Sequence, residues 1–588
     1  MGRQVDPVEK ENGLLLRLCR VSVYGLFTAM TALLAVLCAV GTCVVDATPR
    51  EITYFLPDSA AGNLLCLLLT AAAALLAQRL PAVGRALERL DADERRFRRV
   101  RSALLSAILL AGLVWVFALQ SLPGADQLTV QECAARLLSG DFSDFGRTGY
   151  LSRYPNQIGL VWVSWLYALV FGTGSYIGLQ VLNAFALAGI YRELCLLCEA
   201  FGWRRRVQLG VLLSGLLFLP LVGYTAFVYG NLLGLALALT ALRLEIAYFH
   251  GGTVRQALGA AAAAAGAVLV KMNYLIFWVG ILLYSLVEIA RQRRRRQLLA
   301  PALLLALCLL QGTLPRQVSR RVTGEMLDQG CSPWAWVAMG LQDGPRAPGW
   351  YNRYNWNGYD ESGFDTQHQA ETARADIRRS LGEYWRHKGS AVRFFTQKTA
   401  SQWCNGDFQG FWIAQIRESA HCPPDWVREL LSVEGQSAAD RFLDRMEFVV
   451  LGLSLLWALF SWQRREEIAC AVPAMIFVGG FLFQLFWEAK GQYTISYYVL
   501  LFPYAAAALD ELAQRRTLQR SSTPARTKGR WFLRCVLALT LGACVFLYAG
   551  RSDYLTGDTA KYEKYLAAQQ ARAEEKAFPA PERHGEGG

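Results

Sequence analysis

The chain is poor in charge. Lys, Arg, Asp and Glu make up 18% of its 588 residues while 54% are hydrophobic, where a soluble protein of this length would carry ~25% charged residues. Histidine is scarce, at five residues, and the histidines do not cluster with cysteines, so the ligand spacing of a zinc site is missing. The 14 cysteines form no paired CxxC framework and most lie inside apolar runs, where a thiol is a small packing group. No clear internal repeat is visible, which counts against the repeat-built transporter folds. No small-residue cleavage site follows the basic start and the apolar run Val21–Val45, so that run reads as a retained span rather than a signal peptide.

What is present in quantity is long uncharged sequence. A helix needs ~20 apolar residues to cross a ~30 Å hydrocarbon core. Val21–Val45, Ser59–Gln78, Ser102–Ala125, Tyr154–Tyr191, Val207–Leu242 and, apart from Lys271, Gln256–Val287 supply such runs. The chain is therefore expected to be an all-α polytopic membrane protein of about 13 transmembrane helices. The net charge of +13 sits in short basic stretches between the runs, such as Arg79–Arg101, Arg204–Arg206 and Arg291–Arg296. That is the positive-inside pattern of cytoplasmic loops, so no nucleic-acid partner is expected; the lipid bilayer is.

The charge pattern places the N-terminus and the 79–101 loop inside and delivers Asp126 to the far face. The stretch Gly124–Gln157 is then a first outer loop, with a surface helix expected near Leu128–Leu138. Residues 316–445 form a second, domain-sized outer loop, with a helix over Ala370–His387. Flanking these, 1–101 reads as a two-span extension with its basic loop, 102–315 as a transmembrane core, and 446–550 as C-terminal spans. Residues 551–588 read as a polar extracytoplasmic tail, poorly ordered beyond about Glu574. Seven apolar segments separate the two outer loops, and an even number is required if both face the same side. One segment must turn back or two must form a broken span; the short pieces either side of Lys271 are the first candidates. Cys404–Cys422 is a candidate disulfide on an oxidising face, with Cys331 as a further loop thiol.

Several residues in the loops have the chemistry of a site. Asp126, just past a span, is either an interface carboxylate capping the next helix or a general base. Arg147 and Arg153 suit a lipid headgroup or a bound phosphate. Lys271 interrupts an apolar run, where an ion is a functional candidate unless it snorkels to the interface. Glu488, Lys490 and Tyr493 lie between two late spans, as an interfacial ion pair or as part of a shared site. Trp350 and Tyr351 open an aromatic and amide-rich run to Trp356, fit either for a membrane belt or for a sugar.

The order of these motifs resembles a known family. Asp126 opens the first loop, Gly140-Asp-Phe-Ser follows, and Tyr150-Leu-x-x-Tyr-Pro-Asn-Gln157 enters the next span. Met339-Gly-Leu and Gly349-Trp-Tyr-Asn come in the large loop and Glu488-Ala-Lys-x-x-Tyr between late spans. Over roughly residues 100–550 this is similar to the GT-C superfamily of membrane glycosyltransferases, on its bacterial family-39-like branch, kin to protein O-mannosyltransferases and the lipid A aminoarabinose transferase. The resemblance implies a GT-C-like bundle and an inverting transfer of a sugar from a polyprenyl phosphate to an acceptor hydroxyl on a glycan, lipid or protein. It implies an active site on the extracytoplasmic side of a bacterial plasma membrane, in cell-envelope glycan modification. Asp126 would be the catalytic base, and Arg153, Lys271 and Lys490 the cations for the lipid phosphate. Gln127, Asp141, Asp144, Tyr154, Asn156, Gln157, Trp350, Tyr351, Glu488 and Tyr493 would support or contact substrate. Relatives often carry a second acidic residue where this chain has Gln127, so no metal site and no cofactor are assigned; a divalent metal stays open, with Asp141 or Asp144 as the other carboxylate. Tyr154-Pro155-Asn156 also replaces the usual basic or His-Pro-Pro pattern. A flippase or a ligase of lipid-linked glycans is the alternative.

Overall fold

The computed structural model describes residues 7–324, 329–461, 468–515, 527–549 and 553–577. Arg464–Arg465, part of the basic 515–530 segment and the tail beyond 577 lie outside the described residues. In chain order the helices are α1 (Pro7–Val40), α2 (Ala60–Arg79), α3 (Pro81–Ala92), α4 (Glu94–Leu119), α5 (Asp126–Ser139), α6 (Tyr150–Arg153), α7 (Ile158–Phe171), α8 (Ile177–Ala200) and α9 (Arg205–Leu217). There follow α10 (Leu219–Gly223), α11 (Asn231–Phe249), α12 (Val254–Val270), α13 (Leu275–Gln292) and α14 (Leu299–Thr323). The large loop holds α15 (Pro333–Gly340), α16 (Tyr354–Glu361), α17 (Thr366–Arg386), α18 (Lys388–Trp403), α19 (Gly410–Gln415) and α20 (Asp425–Leu430). Last come α21 (Val433–Ser461), α22 (Val472–Phe486), α23 (Gly491–Tyr498), α24 (Phe502–Arg515), α25 (Thr527–Ala549), α26 (Asp553–Thr556) and α27 (Thr559–Ala577).

Among the described residues, eight helices are long and apolar enough to cross a membrane, or nine if the bent pair α9 and α10 with its 3₁₀ extension, at 60° to each other, is one span. The other apolar segments form shorter helices, such as α12, that run between the same two ends. Lipid contact explains the surface of α2: Leu65, Leu68 and Leu69 are each more than half exposed, a cost in water of ~25 cal/mol per Å² that hydrocarbon removes. Ser59 starts that helix by accepting a hydrogen bond from the Gly62 N–H at 3.1 Å, as an N-cap does.

The two ends differ in chemistry. At one, Arg206 meets Asp91 at 2.5 Å and Arg101 meets Glu199 at 3.5 Å, while Tyr248 donates to the Arg296 carbonyl. At the other end lie the two outer loops, joined along a short antiparallel bridge. The Leu122 N–H donates to the Glu418 carbonyl at 2.8 Å and the Ala420 N–H to the Gln120 carbonyl at 3.0 Å, around the pair Ser121 and Ser419.

The odd segment is α7, not the pieces beside Lys271. Its start is held by Gln157, which donates to the Tyr229 hydroxyl, and beyond its end Gln180 donates to the Ser121 carbonyl at 2.7 Å. Both termini therefore lie at the loop end. Between them α7 packs on the surface helix α5, with Gln131 donating to Ser164. At 14 residues it is ~21 Å long, too short to cross, whereas α12 and α13 each run the full path. Six crossings are left between the loops, an even number.

Five further local expectations meet the structure. α5 covers the expected surface helix, and α17 covers the helix expected over Ala370–His387, with Asp365 accepting from the Gln367 and His368 N–H groups. Val21–Val45 is not helical throughout. From Gly41 it becomes a strand, β1 (Gly41–Val45), paired antiparallel with β2 (Thr53–Pro57) in the register Gly41 to Pro57. The 551–588 tail is helical over α27, which stacks Tyr562 and Tyr565 against Tyr54. The candidate disulfide is absent: Cys422 is exposed, while Cys404 is buried against Cys38.

Candidate active site

Asp126 opens the first turn of α5 but does not cap it. The cap is Ala125, whose φ of 49° and ψ of −135° lie outside the comfortable regions for an L-residue. That turn frees the carboxylate, which accepts from the Tyr229 hydroxyl at 3.4 Å. Tyr229 also receives the Gln157 amide at 2.7 Å, and its ring lies under the Lys271 ammonium at 4.3 Å. Gln127, buried, accepts from the Val228 N–H at 3.0 Å and so holds the segment before Tyr229 against α5.

Lys271 stands in the non-helical step between α12 and α13 because the α12 helix stops there in extended backbone. Its ammonium donates to the Tyr229 carbonyl at 3.4 Å and has no carboxylate in ion-pair contact. Burial brings its pKa down to about 7; Asp126 opposes this and Lys490 adds to it. Lys490 lies in the short step after α22, 2.6 Å from Glu51 and 5.5 Å from the Trp412 ring. Burial lowers it to about 8, against the pull of Glu488. Glu488 is itself pushed up to about 7 by burial, with Lys490 opposing and Asp126 adding to the rise, and it accepts from the Tyr493 hydroxyl at 3.4 Å. Asp126, Lys271, Lys490, Glu488 and Tyr493 thus share one electrostatic neighbourhood, built from α5, the α12–α13 step and the 487–493 segment. Tyr351 joins it, its hydroxyl raised by burial and then by Asp126 and Glu488.

Other residues singled out by sequence are placed elsewhere. Arg153 is buried and paired with Asp360 at 2.6 Å, donates to the Trp356 carbonyl at 3.2 Å and stacks at 3.7 Å on the Trp356 ring. It pins the first loop to the second. Arg147 donates to the Gly363 carbonyl at 2.7 Å in the same seam. Asp144 is held by Arg136 at 2.7 and 3.1 Å, and exposed Asp141 accepts from the Ser143 N–H at 2.9 Å; both carboxylates are spent on local structure. Trp350 is a core residue that donates to Ser401 at 2.8 Å. Tyr154 packs among Tyr150, Trp336 and Trp356, and Asn156 is exposed. Among the described residues no group of three His, Cys, Asp or Glu side chains gathers as a metal site.

Three residues carry no signal in the sequence. Glu51, in the turn of the N-terminal hairpin, bridges Lys490 and Arg346. Lys398 on α18, buried and lowered to about 7 by that burial with Glu488 opposing, donates to the Trp487 carbonyl at 2.8 Å and fixes the 487–490 segment. Arg417 is brought beside Asp126 by the 120–122 and 418–420 bridge. A Cβ on Gly124 would lie 2.2 Å from the Arg417 Nη1, so a larger residue there would push the guanidinium aside. Burial lowers the Arg417 pKa and Asp126 opposes the shift.

Fold and site together define a polytopic α-helical membrane protein with buried cations and carboxylates gathered at a single end. No protein-family model and no curated protein sequence matches the chain. Among solved structures it is similar to the archaeal oligosaccharyltransferase AglB from Archaeoglobus fulgidus, in complex with an inhibitory peptide and a dolichol-phosphate, at 14% identity and a TM-score of 0.38 over 76% of this chain and 55% of that one. It is also similar to ArnT from Cupriavidus metallidurans bound to undecaprenyl phosphate, at 12% identity and a TM-score of 0.31, over 77% of this chain and 88% of that one. The chain thus spans just over half the length of the archaeal protein. Both likenesses are loose.

Proposed function

We propose that the protein is an inverting glycosyltransferase of the GT-C kind, which moves a sugar from a polyprenyl phosphate to an acceptor hydroxyl. The observation that carries this is Asp126 sharing one neighbourhood with two buried ammonium groups, Lys271, which has no ion-pair partner among the described residues, and Lys490, which is paired with Glu51. Lys271 and Lys490 have lost much of their hydration, and both have depressed pKa values. An arriving phosphate restores their charge and is held by charge-assisted hydrogen bonds. Asp126 takes the proton of the acceptor hydroxyl as that oxygen attacks the anomeric carbon from the face opposite the phosphate. The glycosidic bond forms, the carbon–oxygen bond to phosphate breaks, and the lipid phosphate leaves with the electron pair, its charge stabilised by the lysines. Tyr229 links the two halves, because it donates to Asp126 while its ring and carbonyl face Lys271. The motif order from Asp126 to Tyr493 resembles the same family.

The reading assigns Arg153 to joining the loops rather than to phosphate. It places the site at the end opposite the basic loops, hence on the extracytoplasmic face by the positive-inside rule. The test is transfer by Asp126→Asn in membranes supplied with polyprenyl-phosphate sugar and cell-envelope glycan as acceptor. A fall of ~10² to 10⁴-fold is expected for loss of a general base; undiminished transfer by a correctly inserted variant overturns the assignment.

A further inference from the structure

A cleft of about 1120 Å³ opens beside the proposed site, walled by the β1 end, the 414–436 segment and α27. Its volume exceeds the ~300–1,000 Å³ of ordinary small-molecule sites. Its inner end is formed by Leu119, at the end of α4, and by Arg417, whose guanidinium touches Gly124 two residues before Asp126. It lies within the extramembrane loops and α27, away from the exposed leucines of α2 that face lipid.

The lining indicates what fits. Gln415, Gln436, Gln569 and Gln570 supply carboxamides, and Tyr562 and Tyr565 supply aromatic faces 5.9 Å apart at 26°. Part of this hydrogen-bonding capacity is used within the wall: Gln415 donates to the Leu431 carbonyl and to Gln436, and Gln570 donates to Glu434 at 3.3 Å. Gln569 makes no hydrogen bond among the described residues. Carboxamides that both donate and accept match vicinal hydroxyls, and tyrosine faces match the apolar faces of pyranose rings. The charges nearly balance, with Arg428 paired to Asp425 at the rim and Glu418 and Glu434 against Arg417. Val44, Val45, Leu431, Val433 and Leu566 add apolar surface that can pack against the apolar faces of sugar rings, and a strongly charged chain would need excess charge of one sign.

We infer that this cleft is the binding groove of an oligosaccharide acceptor, which it feeds past Arg417 to Asp126. The inference rests on the reading of Asp126 as the base. The donor phosphate enters at Lys271 and Lys490, and the acceptor approaches from the Arg417 side, so the two substrates reach one carboxylate by separate routes.

The test uses the full-length protein in detergent on a printed array of bacterial oligosaccharides, with a peptide array beside it and undecaprenyl phosphate binding measured by native mass spectrometry. Oligosaccharide signal is expected, reduced at least tenfold by Gln569→Trp, which fills the groove from the half-exposed face of α27, and also by Gln436→Leu. Both variants are expected to keep undecaprenyl phosphate binding within twofold, while Lys271→Met does the reverse. A silent oligosaccharide array, a signal indifferent to both groove variants, or capture of peptides in place of glycans overturns the inference. If Asp126→Asn abolishes transfer while glycans ignore the groove, the groove alone fails. If glycans need the groove but Asp126→Asn still transfers, the catalytic reading alone fails.

Discussion

The two ends of the bundle treat some of their cations differently. At the basic end the guanidinium groups have carboxylates in reach: Arg206 has Asp91, Arg192 and Arg243 share Glu193, and Arg291 has Glu288. At the loop end Lys271 has a carbonyl and a ring, and Arg417 has the backbone of Gly124. Satisfied charge builds a rim, whereas desolvated charge without a close counterion stores binding energy for an anion, because the low-dielectric surroundings strengthen whatever arrives. The same contrast repeats inside the first loop, where Asp144 is locked by Arg136 and Asp126 accepts a long hydrogen bond from the Tyr229 hydroxyl.

The sharpest way to break the comparison is to neutralise both aspartates. Asp126→Asn is expected to reduce transfer by ~10² to 10⁴-fold, while Asp144→Asn changes it less than tenfold and lowers thermal stability instead. Equal losses in both would erase the distinction. Next, Lys271→Met is expected to weaken undecaprenyl phosphate binding by roughly 10- to 100-fold, the worth of one charge-assisted hydrogen bond. The wild-type affinity should fall as pH rises from 6 to 9, since Lys271 releases its proton near pH 7, and Lys271→Met should flatten that slope. A wild-type affinity that ignores pH contradicts the role given to Lys271.

Arg153→Ala probes a paired cation. It should destabilise the protein by about 2 kcal/mol, below the ~3–5 kcal/mol of a fully buried pair because Asp360 is 41% exposed. Lipid-phosphate affinity should stay within twofold; a tenfold loss in a folded variant would return Arg153 to the phosphate site. The smallest effect belongs to Lys398. Its pKa of about 7 lies below the ~10.4 of an unfolded lysine, so between those values the unfolded chain binds more protons and stability rises with pH. Lys398→Met should reduce that rise in thermal melts taken from pH 7 to 9, leaving the share that Lys271 and Lys490 contribute.

The membrane architecture was legible because apolar run length and basic loops are local signals. So was the meeting of Asp126 with Glu488, Lys490 and Tyr493, which follows from topology once both segments are put at one end. The fate of Arg153 was not, since a guanidinium suits a carboxylate as well as a phosphate and only the fold brings Asp360 to it. Glu51, Lys398 and Arg417 were silent for a similar reason, their partners being far away in sequence. Gly124 was the one available clue to Arg417, a residue without a Cβ just before the key aspartate. The helix α7 misled because its composition is that of a span, while its length and its contacts with α5 keep it at one end.

The bridge between Ser121 and Ser419 also sets a schedule. Its two strands are made nearly 300 residues apart, so at ~5–20 residues per second the first loop waits roughly 15–60 s for its partner. Until then Gly124 has no guanidinium beside it, and every intervening crossing must be inserted first. A nascent chain stopped short of Ser419 already carries Asp126, Lys271 and most of its helices, but lacks both the clasp and the 487–493 segment. Completion of the proposed site is thus a late event of biosynthesis, set by the order of translation itself.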